Sequence, residues 1–271
     1  MGISSSLEAG MELSPLRRKS GNSLISSNIL AGLHYGFRSF TKPHLGYRLG
    51  LLWMVLDPLL KAGVYMFLMI VIKGRTSPES LVIGVFTLST LNGPFSSSMN
   101  INLSNEPFPL NHTPTLPLII AKITEKILSA IFVSLTAATL LIYALGTPST
   151  ILLVLPVACS LLTLIGTGTG LLLSPFVMVF KDLSKFVSYF LLLSFFIQCV
   201  LFPYSMTSGY HRMALYWLPH TIAVEWCRTV AYGSNYPFTL EHSIAVFLIW
   251  AVPMIYGFVR FDRYRWRATT W

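Results

Sequence analysis

The sequence predicts an all-α protein threaded repeatedly through a membrane. Three observations carry that expectation. Of 271 residues, 54% are hydrophobic. Only 11% are charged, against about 25% in ordinary soluble domains. Several apolar stretches also exceed the roughly 18 residues that a crossing helix requires, and the mean hydropathy is +0.65. The same figures exclude an ordinary soluble enzyme, a disordered chain and a DNA-binding module. The net charge of +9 does not argue for nucleic acid, because most of it falls between the apolar stretches, where lysine and arginine set membrane orientation. Cys159, Cys199 and Cys227 lie in apolar surroundings without CxxC spacing, which speaks against a disulfide framework or a zinc site.

Residues 1–23 are polar and Ser-rich, with a basic cluster at Arg17, Arg18 and Lys19; they read as a flexible cytoplasmic tail. No apolar run of signal-peptide length occurs there, so insertion is expected from the first internal span. From residue 24 to 271 the chain reads as one transmembrane domain. Within 24–44, Ile25, Ile29, Leu33 and Phe37 recur every four residues, while Ser26, Asn28 and Arg38 fall elsewhere. That pattern fits an amphipathic helix lying flat on the inner surface, with a solvated linker as the plainer alternative.

Six spans follow, at about 49–72, 81–103, 118–145, 151–180, 186–203 and 244–261. The second is polar in its later half, at Ser96, Ser97, Ser98, Asn100 and Asn102. With the N-terminus inside, 14 of the 19 basic residues fall on cytoplasmic segments and 4 on outer ones, Lys61 lying within the bilayer. The bias predicts both termini inside. The loops at 73–80, 146–150 and 181–185 are short. Segment 204–243 is the exception, being rich in Tyr, Trp and Leu and broken by Pro219 and Pro237. Its fragments 211–218 and 221–232 are too short to span, which predicts two short re-entrant helices over a pathway, as an outer gate.

The chemistry in the sequence is sparse. The run Gly166-Thr167-Gly168-Thr169-Gly170 has no Gly-Lys-Ser/Thr after it; small residues there are read as allowing close helix approach, not as a phosphate loop. The six histidines show no metal-ligand spacing and read as boundary or packing residues. Within the first span, Asp57 and Lys61 are four apart, on one helical face, with Pro58 between them. Two readings stay open: a polar stripe on a hydrated path, or an Asp at the headgroups with a snorkelling Lys. Most aromatics read as interfacial belt or packing; Trp53 and Trp217 stand out beside charged or Pro-broken motifs. The 105–117 loop, with Glu106, Pro107, Phe108, Pro109 and His112, is a stiff inner-face projection fit to dock on a cytoplasmic partner.

The order of elements, together with three motifs, resembles the permease subunit of type-2 ABC exporters of polysaccharides. Residues 48–58 (RLGLLWMVLDP) resemble that family's RLGxLWxxLxP start of the first span. Phe202-Pro203, Trp217-Leu218-Pro219 and Val224-Glu225-Trp226-Cys227-Arg228 resemble its FP…WxPxxxxVExxR outer segment, and Phe180-Lys181-Asp182-Leu183 its short charged inner loop. The likeness covers about residues 28–262 and departs at Leu218, where the family carries Asn. The Arg-Leu-Gly start and the acidic residue before Pro58 lean towards the capsular subgroup.

The resemblance implies a non-catalytic permease of a bacterial inner membrane, homodimeric, with no cofactor of its own. Two copies of a separate P-loop ATPase would bind the ATP and Mg. A lipid-linked capsular polysaccharide would be the substrate, with periplasmic or outer-membrane export proteins as further partners and no nucleic acid. Arg48, Trp53, Asp57 and Lys61 would belong to the translocation path. Trp217, Pro219, Glu225 and Arg228 would form the outer gate, and Glu106, Pro107, Phe108, Pro109 and His112 would couple to the ATPase. A permease for O-antigen, teichoic acid or a small drug is the alternative within the class. An intramembrane lipid or glycan transferase is the alternative outside it.

Overall fold

A computed structural model of the chain describes residues 21–45, 78–101 and 115–268, together with scattered positions between 50 and 71. The described residues form eight α-helices and a short 3₁₀ turn, with no strand among them. The helices are α1 (Gly21–Leu45), α2 (Pro78–Met99), α3 (Thr115–Leu145), α4 (Ile151–Val179) and α5 (Lys181–Ile197), then α6 (Gly209–Tyr216), α7 (Pro219–Tyr232) and α8 (Leu240–Ala268). The 3₁₀ turn, Tyr204–Met206, lies between α5 and α6. Three helices are long and apolar enough to cross a membrane, over Leu116–Tyr143, Ile151–Val179 and Leu240–Phe261.

Helix α4 is the hub, packing against α2, α3, α7 and α8. Its glycine run explains how. A Cβ on Gly166 or Gly170 would strike the Leu91 or Phe95 carbonyl of α2, while Gly168 faces Met254 and Gly257 of α8. Alternate glycines thus open two faces of one helix, so backbones meet directly. Where lipid is as apolar as leucine, such close van der Waals contact replaces the hydrophobic drive to associate. Ile83, Phe86, Leu141, Ile151, Leu155 and Leu162 fill the space between α2, α3 and α4.

Helix α2, expected as the second span, is rich in Ser, Thr and Gly and is not among the three long apolar helices, yet it lies largely buried. Its hydroxyls bond its own backbone: Thr87 donates to the Ile83 carbonyl (2.7 Å), Ser89 to Phe86 (2.7 Å) and Thr90 to Thr87 (2.8 Å). Thr163 of α4 donates to the Thr90 carbonyl across the interface (2.9 Å). These four donors are satisfied inside protein, as an apolar environment demands; the buried Ser98 Oγ of α2 has no partner.

Several sequence boundaries shift. Helix α1 begins at Gly21, inside the expected tail, and it does not stand alone. Gly32 faces Pro117 and Ile120 of α3, Gly36 faces Ala121 and Thr124, and Ser39 donates to Glu125 (3.0 Å). The rising register means that α1 runs along α3 in the same direction. Its apolar residues Ile29, Leu30, Leu33 and Phe37 remain exposed on another face. At 31 residues α3 is about 46 Å long, roughly 16 Å more than a hydrocarbon core. Helix α1 lies against its charged first turns, where Glu125 pairs with Lys122 (3.4 Å) and Lys126 (2.7 Å).

The expected inner loop at 181–185 is the first turn of α5; only Phe180 breaks the chain from α4. Asp182 sits in that turn, where the helix dipole favours an acid. Helix α5 stops at Ile197, short of the expected Pro203, because Gln198 turns extended. Residues 240–243, expected in the outer segment, open α8, with Thr239 Oγ1 accepting from the His242 N–H (3.2 Å) as a cap.

Candidate functional site

The two short helices expected from 211–218 and 221–232 are present as α6 and α7, neither long enough to cross a membrane. Pro219 starts α7, where its missing N–H costs nothing. Gly233 ends it in the left-handed conformation at φ 65°.

The first residues after α5 are irregular but buried: Cys199 and Val200 are inaccessible and Gln198 nearly so. Irregular backbone at depth leaves carbonyls that need donors. Arg228, three residues after Glu225 on α7, supplies them. Its Nη1 donates to Glu225 Oε1 (2.7 Å) and to the Phe202 carbonyl (3.3 Å). Its Nη2 donates to the carbonyls of Val200 (3.1 Å) and Ser80 (3.3 Å). Glu225 Oε1 also accepts the Tyr204 backbone N–H (3.0 Å). The ion pair therefore ties α7, the break after α5 and the start of α2 into one knot. Arg228 is 3% exposed and Glu225 7%. In this conformation neither lines an open channel; their chemistry is that of a clamp.

His211 of α6 donates Nε2–H to the Ile197 carbonyl (2.7 Å), closing the last turn of α5. At the start of α7, His220 is fully buried with Nε2 3.2 Å from Thr87 Oγ1. Burial, and then the positive charge of Arg228, push the His220 pKa down to about 3, so its ring is neutral.

Trp217 caps α6 and is 47% exposed. Its carbonyl accepts the indole N–H of Trp250 on α8 (2.9 Å). His242 stacks on Tyr216 (3.6 Å between rings) and its Nε2–H donates to the Tyr216 carbonyl (2.9 Å). Phe238 lies against Tyr204, Tyr216 and Tyr236. This aromatic layer fastens α6 to α8.

The structure thus brings Pro219, Glu225 and Arg228 together around α7, with Trp217 two residues before it. Trp53 is helical and 43% exposed, and it is not among the residues that the clamp joins. Arg48, Asp57 and Lys61, and the coupling residues Glu106, Pro107, Phe108, Pro109 and His112, lie outside the described residues. His220, Gln198, Thr87 and Tyr204 were not legible as site residues. For His220 the available signal was its place directly after the helix-starting Pro219, on the face of α7 that carries Val224 and Cys227. All three cysteines are buried free thiols. Among the described residues no three His, Cys, Asp or Glu side chains gather as a metal site. No family model matches the chain, and no curated protein matches it.

Proposed function

We propose that this chain is the membrane-spanning permease subunit of an ATP-driven exporter for a lipid-linked polysaccharide, of the capsular kind. The observation that carries the reading is the pair of short helices α6 and α7, with α7 tied to the break after α5 and the start of α2 by the buried Glu225–Arg228 clamp. A segment of that form is suited to closing the outer end of a path between helices. It adds no reactive acid, base or nucleophile.

In this reading the chain crosses an inner membrane six times, with the partly described first span, α2 and α5 added to the three long apolar helices. Both termini are cytoplasmic. Two copies stand side by side over two copies of a P-loop ATPase, which binds the ATP and Mg. The ATPases press on loop 105–117 through Glu106, Pro107, Phe108, Pro109 and His112. Helix α1, fixed to the charged end of α3, moves with that end. Arg48, Trp53, Asp57 and Lys61 face the path from the inner side. Trp217, Pro219, Glu225 and Arg228 hold the outer end closed until the helices shift. Periplasmic or outer-membrane proteins receive the glycan.

The test is reconstitution. The purified chain is expected to hydrolyse no ATP by itself, and to support glycan-stimulated hydrolysis when co-purified with a P-loop ATPase encoded beside it. ATP turnover by the isolated chain, or failure of any such ATPase to co-purify, refutes the proposal.

A further inference from the structure

We infer that the end of α8 is a binding strip for the headgroups of anionic phospholipids. Helix α8 runs from Leu240 to Ala268, about 44 Å. Its apolar stretch ends at Phe261, and residues 262–268 continue the helix for roughly 10 Å more. That length crosses the headgroup layer, since a bilayer exceeds its hydrocarbon core by about 5–8 Å on each side.

Residues 260–267 read RFDRYRWR. Four arginines stand against one acid, Asp262, and α8 contains no lysine. The arginine fork matches two phosphate oxygens at once, where lysine offers a point charge. Tyr and Trp, which alternate with the arginines, favour the membrane boundary.

The register of α8 fixes what this strip meets. Along the apolar stretch Leu248, Val252, Ile255 and Val259 are each more than half exposed. They recur at steps of four, three and four residues, which places them on one face of the helix. Helix α4 meets α8 elsewhere, at Gly257, so in a membrane the exposed face meets lipid. The next steps of four and three bring positions 263 and 266, an arginine and a tryptophan, onto that same face. The lipid side of α8 thus passes from aliphatic to basic and aromatic at the depth where hydrocarbon gives way to headgroups. At the boundary the half-buried Arg260 lies over the ring of Tyr256, 5.6 Å from its centre. Among the described residues the ion pairs join Glu125 to Lys122 and Lys126, and Glu225 to Arg228, so no carboxylate neutralises Arg260.

The neighbouring elements add charge of the same sign. Leu171 of α4, Ile119 of α3 and Phe261 of α8 share one buried cluster. The last turns of α4, the first turns of α5 and the first turns of α3 therefore lie at this end of the bundle. Lys181 and Lys185 of α5 are exposed there, and Glu125 of α3 is already paired with two lysines.

Those facts select the occupant. An acidic protein or a nucleic acid would have to approach a face that lies in hydrocarbon one turn earlier. A free phosphate gains nothing from the aliphatic residues above the arginines. A phospholipid of net negative charge gains both contacts: its chains lie along Val252, Ile255 and Val259, and its phosphate meets the arginines. Each basic residue beside an anionic membrane surface contributes about a factor of five in binding. The inference requires only that α8 crosses a membrane, so it and the export reading stand or fall separately.

The test offers the full chain, in a neutral detergent, phosphatidylglycerol and phosphatidylcholine with the same acyl chains, and counts bound lipid by native mass spectrometry. The native protein is expected to favour phosphatidylglycerol by about tenfold or more. Arg260→Gln, Arg263→Gln and Arg267→Gln together should bring the two lipids close to parity. Arg263→Gln alone should lower the preference about fivefold, and it decides the matter if the triple variant does not fold. Lys181→Gln with Lys185→Gln removes two exposed charges from the same end of the bundle and should leave most of the preference. Millimolar inorganic phosphate should not displace the lipid. Parity in the native protein, full preference in the arginine variants, an equal loss on removing the α5 lysines, or displacement by inorganic phosphate overturns the proposal.

Discussion

Arg228 donates four hydrogen bonds, to one carboxylate and three carbonyls, and those carbonyls come from parts of the chain far apart in sequence. A buried ion pair adds little net stability over a well-packed apolar pair, but losing one partner strands the other charge. Arg228→Ala should therefore cost about 3–5 kcal/mol, read as a fall in thermal unfolding temperature in detergent. Arg228→Lys keeps the charge but loses the planar fork, and should recover only part of it. A loss no larger than that of an exposed substitution would show that the knot is held by other contacts. His220 gives a second test. Its ring is held neutral, with a pKa of about 3 in the fold against an ordinary 6.5. A depressed pKa means that the ring's contribution is complete above pH 6.5 and is lost as pH falls from there towards 3. The loss should approach about 1.4 kcal/mol for each pH unit below 6.5. Stability measured between pH 7 and pH 5 should fall in the native protein, and His220→Gln should flatten that fall.

Helices in this protein meet through glycine. A side chain at Gly257 would press into the backbone of Gly168 and Leu172 with no flexible neighbour to yield, and one at Gly168 would meet both the side chain and the backbone of Met254. Gly257→Ala should separate α4 from α8 and cost about 1–3 kcal/mol. Gly93→Ala is the control, because a Cβ there would meet nothing within 4 Å, and it should be neutral or mildly stabilising. The comparison separates close packing from the general cost of altering a glycine. The same logic applies to α1. Gly36→Leu should lift it from α3 and expose the bond after Arg38 to trypsin, whereas the native protein should resist cleavage there. An unchanged cleavage rate would mean that α1 is held by its exposed apolar face and not by α3.

At the scale of the whole molecule, the proposed export function makes a topological demand. A single cysteine placed at position 108, in a background lacking the three native ones, should react only with reagents that reach the cytoplasm. One placed at position 235, between α7 and α8, should react from outside. Accessibility of position 108 from the outer side would remove the coupling role of the 105–117 loop and the export reading with it. The outer segment, the clamp and the packed trio of α2, α4 and α8 form one connected body through α4 and α7. Helix α5 touches that body more sparingly and borders a cavity of about 580 Å³.

Composition and local spacing were enough to predict an all-helical chain with helices long and apolar enough to cross a membrane. Low charge and long apolar stretches point to a helical membrane protein, since backbone in lipid must bond within its own segment. Pro219 and the shortness of the fragments also located α6 and α7, and the 166–170 glycines could be read as packing residues, because each inference needs only neighbouring residues. Everything else came from contacts between distant segments. That α2 could be both polar and buried depends on its hydroxyls finding carbonyls at the right distance. That α1 runs along α3 depends on two glycines meeting a surface far along the chain. That Glu225 and Arg228 form a clamp depends on carbonyls of Ser80, Val200 and Phe202 arriving at one guanidinium. Periodicity reports which face of a helix is apolar; it carries no information about which distant backbone will need a donor.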